Sequence, residues 1–96
     1  MVSRRSRLEL VFDILLAIRK KGGEIKPTHL MYKSNLSHKL LTEYLEELMT
    51  KEMIEVIEND VKKNKRVQRI ITITDKGLDF LEEYNKIREF TTAFGV

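Results

Sequence analysis

Cysteine is absent from this chain, which excludes a disulfide framework and any thiolate metal site. Glycine is scarce, and the one adjacent pair, Gly22-Gly23, lacks the Gly and Lys spacing of a phosphate-cradling loop. Long apolar runs are missing too: nothing approaches the ~18 consecutive apolar residues of a membrane span. The opening Met-Val-Ser-Arg-Arg-Ser-Arg is basic, but Glu9 and Asp13 interrupt the apolar residues that follow, which argues against a signal peptide. A soluble cytoplasmic protein with no membrane partner is the expectation. The two histidines, His29 and His38, have no cysteine partners, and no Ser/His/Asp arrangement can be argued. No metal, cofactor or small-molecule substrate is expected, and no enzyme.

What is present is charge and amphipathic pattern. The 96 residues fit one domain, 1–96, and 42% apolar composition is normal for a globular chain. Charged residues reach 34%, with a net charge of only +3, so their distribution carries the information. Arg4, Arg5 and Arg7 precede the first helix. Between Asn59 and Arg69, five basic residues against Asp60 give +4. Between Thr42 and Glu58, six glutamates against Lys51 give −5. A polyanion would meet two basic patches and be oriented by them.

Residues 6–21 read as a helix with an apolar stripe of Leu8, Val11, Phe12, Leu15, Leu16 and Ile18, stopped by Gly22-Gly23. Glu24-Ile25 allows only a very short strand. Pro27 fits the first turn of a second helix, since it lacks an N–H the helix would not use. That helix ends near Ser34, and Asn35 tolerates the left-handed conformation of a sharp turn. Ser37 is a good N-cap for a third helix, 38–51, with Leu41, Leu45 and Leu48 inward and His38, Lys39, Thr42, Glu43, Glu46 and Glu47 outward. Met53–Glu58 and Val67–Thr74 read as strands joined by a polar, basic turn, 59–65. Thr74-Asp75 caps a last helix, 75–92, with one stripe of Leu78, Leu81 and Asn85. A second stripe of Phe80, Tyr84, Ile87 and Phe94, with Phe90 between the two, predicts self-association. The fold class is thus α+β, mostly helical, in the order α-β-α-α-β-wing-β-α: a winged helix-turn-helix core, 6–74, and a C-terminal dimerisation helix.

Further residues carry a family resemblance. The run Met31-Tyr32-Lys33-Ser34-Asn35-Leu36-Ser37, then Leu45, Leu48 and Met53-Ile54, then Ile73-Thr74-Asp75-Lys76-Gly77 and Phe80-Leu81 resembles small archaeal winged-helix DNA-binding proteins. The resemblance covers Leu8 to Tyr84 and implies a transcriptional regulator or chromatin-associated protein, dimerising through its C-terminal helix. Two features depart from it. Glu52 stands where such proteins usually have Gly, and the last helix is short for a long coiled coil.

On this reading the third helix enters the major groove of double-stranded DNA. Ser37 caps it and donates to a phosphate, and His38, Lys39, Thr42 and Glu43 reach base edges. Lys39 suits guanine and Thr42 a thymine methyl, whereas Glu43 is repelled by phosphate unless it accepts from cytosine or pairs with Lys39. Thr28 and His29 hold a backbone phosphate. The wing, 60–66, brings Lys62, Lys63, Lys65 and Arg66 to the backbone or minor groove, and Arg4 and Arg5 add an arm. Phe80, Tyr84, Ile87, Phe90 and Phe94 join two copies in a homodimer. Two alternatives remain open: a winged-helix protein–protein interaction module, which the acidic zone suits, and a chromatin-type DNA binder of low specificity.

Overall fold

The computed structural model describes residues 5–61 and 66–95. Four helices and three strands follow in the expected order: α1 (Arg7–Lys20), β1 (Glu24–Ile25), α2 (Pro27–Ser34), α3 (His38–Thr50), β2 (Ile54–Val61), β3 (Arg66–Ile73) and α4 (Asp75–Phe94). The strands form one antiparallel sheet in the order β1-β3-β2. β2 and β3 pair in continuous register from Ile54↔Ile73 to Val61↔Arg66, and β1 adds only Glu24↔Thr72 and Ile25↔Ile71. β2 runs three residues past the expected Glu58, so residues 59–61, expected in the turn, pair with 66–68, while β3 keeps its expected length of eight residues, shifted by one. An antiparallel ladder is made by the backbone, which is why it extends beyond the apolar pattern.

Three of the four helices start on a side-chain cap. Ser6 Oγ accepts from the Glu9 N–H at 3.1 Å, Ser37 Oγ from Leu40 at 3.2 Å, and Thr74 Oγ1 from Gly77 at 3.2 Å. α2 starts on Lys26, which supplies no side-chain cap, and on Pro27.

Two helix ends use the same paired hydrogen bonds and different residues. After α1, the Gly22 N–H donates to Arg19 O at 3.0 Å and Gly23 N–H to Ile18 O at 3.0 Å, with Gly22 at φ 87°. After α3, Glu52 N–H donates to Met49 O at 3.0 Å and Met53 N–H to Leu48 O at 2.9 Å. Glu52 occupies the position of the glycine, at φ 61°. The departure from the family pattern is therefore resolved by a left-handed glutamate, not by a different ending. Asn35 takes the left-handed conformation at φ 55°, ψ 43°, as expected.

The core lies between α1 and the sheet. Ile14, Leu15 and Ile18 of α1 are fully buried and meet Leu30, Leu41, Leu48, Ile54, Ile71 and Leu81 from the other elements. Leu8, expected on the inward stripe, is 56% exposed, and the inward face of α1 starts at Val11 and Phe12. Ser34 is buried and satisfied, its hydroxyl donating to Leu30 O at 2.7 Å. Gly77 sits in the first turn of α4, close against Met53, the residue before β2. A side-chain carbon there would meet the Met53 carbonyl and stand 2.7 Å from Ile73 Cγ1.

α4 divides along its length. Phe80 and Tyr84, expected on a free dimer face, are half-buried in the chain's own core: the Tyr84 ring lies 4.8 Å from Phe12 and 5.9 Å from Phe80. The Arg88 guanidinium lies 5.0 Å from the Phe12 ring centroid. On the rest of the stripe, Ile87, Phe90 and Phe94 are 60%, 62% and 71% exposed, with the Phe90 and Phe94 rings 4.7 Å apart. Only this outer part of the second stripe lacks an internal partner.

Candidate nucleic-acid interface

The turn Asn35–Ser37 brings α3 out of α2, and the two ends of α3 then differ. Its first turns expose Ser37, His38, Lys39, Thr42 and Glu43, while Leu41 and Leu48 anchor the opposite face. The Thr42 hydroxyl donates to His38 O at 2.7 Å, so its proton is used within the helix and its methyl is the group left to offer. Lys39 and Glu43 form no ion pair with each other among the described residues. Farther along, Glu47 is neutralised by Arg7 and by Lys51, the latter at 2.9 Å. The Arg7 guanidinium also stacks 5.7 Å from the Tyr44 ring centroid. The acidic zone read from the sequence is thus partly cancelled by a residue from α1.

A groove of about 460 Å³ separates α3 from the hairpin. Thr28, His38 and Thr42 line it together with apolar Met31, Leu45 and Val56. Its sheet side carries Glu58 and Arg69, which face each other across β2 and β3 and pair at 3.2 Å. The structure therefore brings Thr28, His38 and Thr42 to one concavity. His29 lines a different cleft, between α1 and α2. The two histidines do not share a site, and among the described residues no group of three or more metal-ligating side chains occurs.

The expected arm is not an arm at Arg5. Its guanidinium donates to Asp13 at 2.8 Å and to Ser34 O at 2.9 Å, tying the segment before α1 to the end of α2. Nothing in the sequence pattern pairs positions that far apart. Arg66 opens β3, and Arg4, Lys62, Lys63 and Lys65 lie outside the described residues. Arg69, by sequence one member of a basic stretch, has a defined place in the groove through its register opposite Glu58. No helix of the described residues is long and apolar enough to cross a membrane.

Comparison with known proteins adds to this geometry. A family profile described as winged helix-turn-helix matches residues 4–92. An uncharacterized protein of Methanocaldococcus jannaschii is 29% identical over 84 residues, covering 88% of this chain, and the chain spans only 34% of that relative's length. Among solved structures, the fold is similar to that of Sso10a-2, a DNA-binding protein from Sulfolobus solfataricus, with a TM-score of 0.72 at 24% identity over 95% of this chain and 90% of that one. It is also similar to a mutant MarR from E. coli complexed with operator DNA, with a TM-score of 0.63 at 26% identity over 76% of this chain and 49% of that one.

Proposed function

The chain belongs to the winged helix-turn-helix family, and from that premise we propose that it binds double-stranded DNA as a transcriptional regulator. The observation that carries the reading is the exposed, Ser37-capped start of α3 standing beside a β-hairpin across an open groove. An end of a helix with short polar and basic side chains fits the major groove, and a hairpin beside it reaches the next stretch of backbone. The DNA-binding relative and the operator-bound relative support the same use of this fold.

In this mechanism Lys39 donates to guanine O6 or N7, and the Thr42 methyl packs on a thymine methyl. Thr28, at the start of α2, takes a backbone phosphate. The wing residues 62–66 follow the backbone or minor groove. Much of the affinity is counterion release, so it falls steeply with salt. Each monomer reads few bases. A homodimer through Ile87, Phe90 and Phe94 supplies a second half-site and the missing specificity. A role on DNA implies the cytoplasm, and catalysis has no part in the reading.

Labelled duplex titrated at two salt concentrations tests it. Binding that weakens steeply with salt, and weakens again when Lys62, Lys63, Lys65 and Arg66 become alanine, supports the reading. No binding at ~50 mM salt sinks it. Equal affinity for all sequences would convert the regulator into a chromatin-type binder. The rival protein-interaction module draws on the apolar lining of the α3 groove, and binding to neither specific nor random duplex would favour it.

A further inference from the structure

We propose that the cleft between α1 and α2 is a phosphate-binding surface that carries the DNA interface past the start of α2. This rests on the DNA-binding reading and names a contact that reading does not contain. The cleft measures about 480 Å³. Leu16 and Ile25 line it, and Lys20, Lys21, His29 and Lys33 surround them. An adjoining hollow shares Lys21 and His29 and adds Lys26.

The charge here is concentrated and uncommitted. Among the described residues, none of Lys20, Lys21, Lys26 and Lys33 forms an ion pair. The acids on the same surface are Asp13 and Glu24, and Asp13 is already neutralised by Arg5 at 2.8 Å. Four lysines against Glu24 leave +3, as much as the net charge of the entire chain. Lys20 and Lys33 lie in the last turns of α1 and α2, where a cation suits the helix dipole. Lys26 has no such account. It stands at the N-cap of α2, the positive end of the dipole, and gives no side-chain cap in return. A residue that costs local stability at an exposed position fits a role in binding.

Position connects this cleft to the groove of α3. Pro27 and Thr28 line that groove, while Lys26 and His29 line the cleft and its adjoining hollow. The first turn of α2 is the ridge between the two concavities. A DNA strand that crosses the ridge at Thr28 leaves the groove and meets the lysines next. The ligand is therefore the phosphodiester backbone flanking the bases that α3 reads, and the contact is independent of sequence.

Fluorescence anisotropy with the full chain tests this, comparing wild type with a Lys20→Gln/Lys21→Gln/Lys33→Gln variant. Both are titrated with a short duplex confined to the α3 contact and with one extended on both flanks, across a salt series. On the extended duplex the variant should bind roughly 10- to 100-fold more weakly, and its salt slope should fall by about 2 to 3, near 0.9 for each phosphate it no longer neutralises. The short duplex and the preference among core sequences should be unchanged. A Lys26→Gln single variant should reduce the slope by about one, and thermal melts should show both variants folded. Equal slopes for variant and wild type on the extended duplex overturn the inference alone. Wild type that binds neither duplex overturns the DNA-binding reading and the inference with it. Titration of wild type with inorganic phosphate separates the remaining source. Saturation of the lysine and His29 NMR signals by free phosphate, with no effect of duplex length, assigns the cleft to a small anion and overturns the proposal.

Discussion

The hydroxyl of Thr74 donates to the carbonyl oxygen of Glu52 at 2.7 Å and accepts from the Gly77 N–H at 3.2 Å. One side chain thus caps α4 and closes the end of α3. Thr74→Val keeps the shape and removes both bonds. It should cost about 1–2 kcal/mol, and each kcal/mol lowers Tm by roughly 4–8 °C in a domain of this size. Thr74→Ser should recover most of that stability. Thermal melts at one fixed protein concentration check this.

Glu52 occupies a left-handed position at φ 61° inside a hydrogen-bond pattern that Gly22 closes after α1. Glu52→Gly should therefore stabilise the fold by roughly 0.5–1 kcal/mol. Gly22→Ala, at φ 87°, should destabilise it by a similar amount. Urea midpoints of the two variants should move in opposite directions from wild type.

Glu58 holds Arg69 at 3.2 Å on the wall of the α3 groove. Both side chains are well exposed, so the pair adds little to stability. On the proposed DNA-binding reading its effect on DNA is larger, because the glutamate neutralises a cation on the wall of the groove. Glu58→Gln should raise DNA affinity severalfold and steepen the salt slope by up to ~1, with the melting temperature nearly unchanged. A slope that does not change would remove Arg69 from the interface.

Lys39→Ala should relax the preference at one base position, at about 1–3 kcal/mol of discrimination. Selection of bound sequences from random duplexes, with wild type and variant in parallel, reads that position directly. An unchanged consensus would show that Lys39 contacts only backbone.

Phe90→Glu with Ile87→Glu should convert a dimer to the 11.4 kDa monomer in light scattering. Phe80→Glu is a different case. That ring stacks near Tyr84 inside the core, so its replacement should lower stability as well as any association. A wild type of monomer mass at high concentration would end the dimer proposal.

The parts of the fold that depend on local chemistry are legible in the sequence. Ser37 and Thr74 can be recognised as caps, Asn35 as a left-handed turn and Pro27 as a first helical position, because each acts within a few residues of itself. The inward side of α3 follows from spacing, since Leu41 and Leu48 recur at the helical period. What is not legible depends on which element arrives opposite. A stripe on α4 cannot report whether it meets α1 or a second copy, so nothing local to Tyr84 announces that Phe12 lies against it, with Phe80 stacked beside. Arg5 carries no mark of its partners, Asp13 and the carbonyl of Ser34, which the packing of α1 on α2 brings to it.

The same reason hides the wider basic surface. Lys20 and Lys33 look like ordinary helix-end cations when each helix is read alone. Only the packing of α1 on α2 turns them into one surface around His29. Within α3, by contrast, the exposed set from Ser37 to Glu43 can be read directly, because its burial pattern is the complement of its own leucines.

Gly77 leaves the root of α4 room that no side chain could share, since an added carbon would run into the Met53 carbonyl and Ile73. The helix is then clamped along its first half, with Leu81 buried and Tyr84 and Arg88 against the Phe12 ring. Only the turns past Arg88 stand clear of those contacts, a spur of roughly 9 Å at 1.5 Å per residue. A change at position 77 would therefore be felt first in the seat of Leu81 and Tyr84, and the Phe90–Phe94 pair would keep its aim for as long as that seat holds.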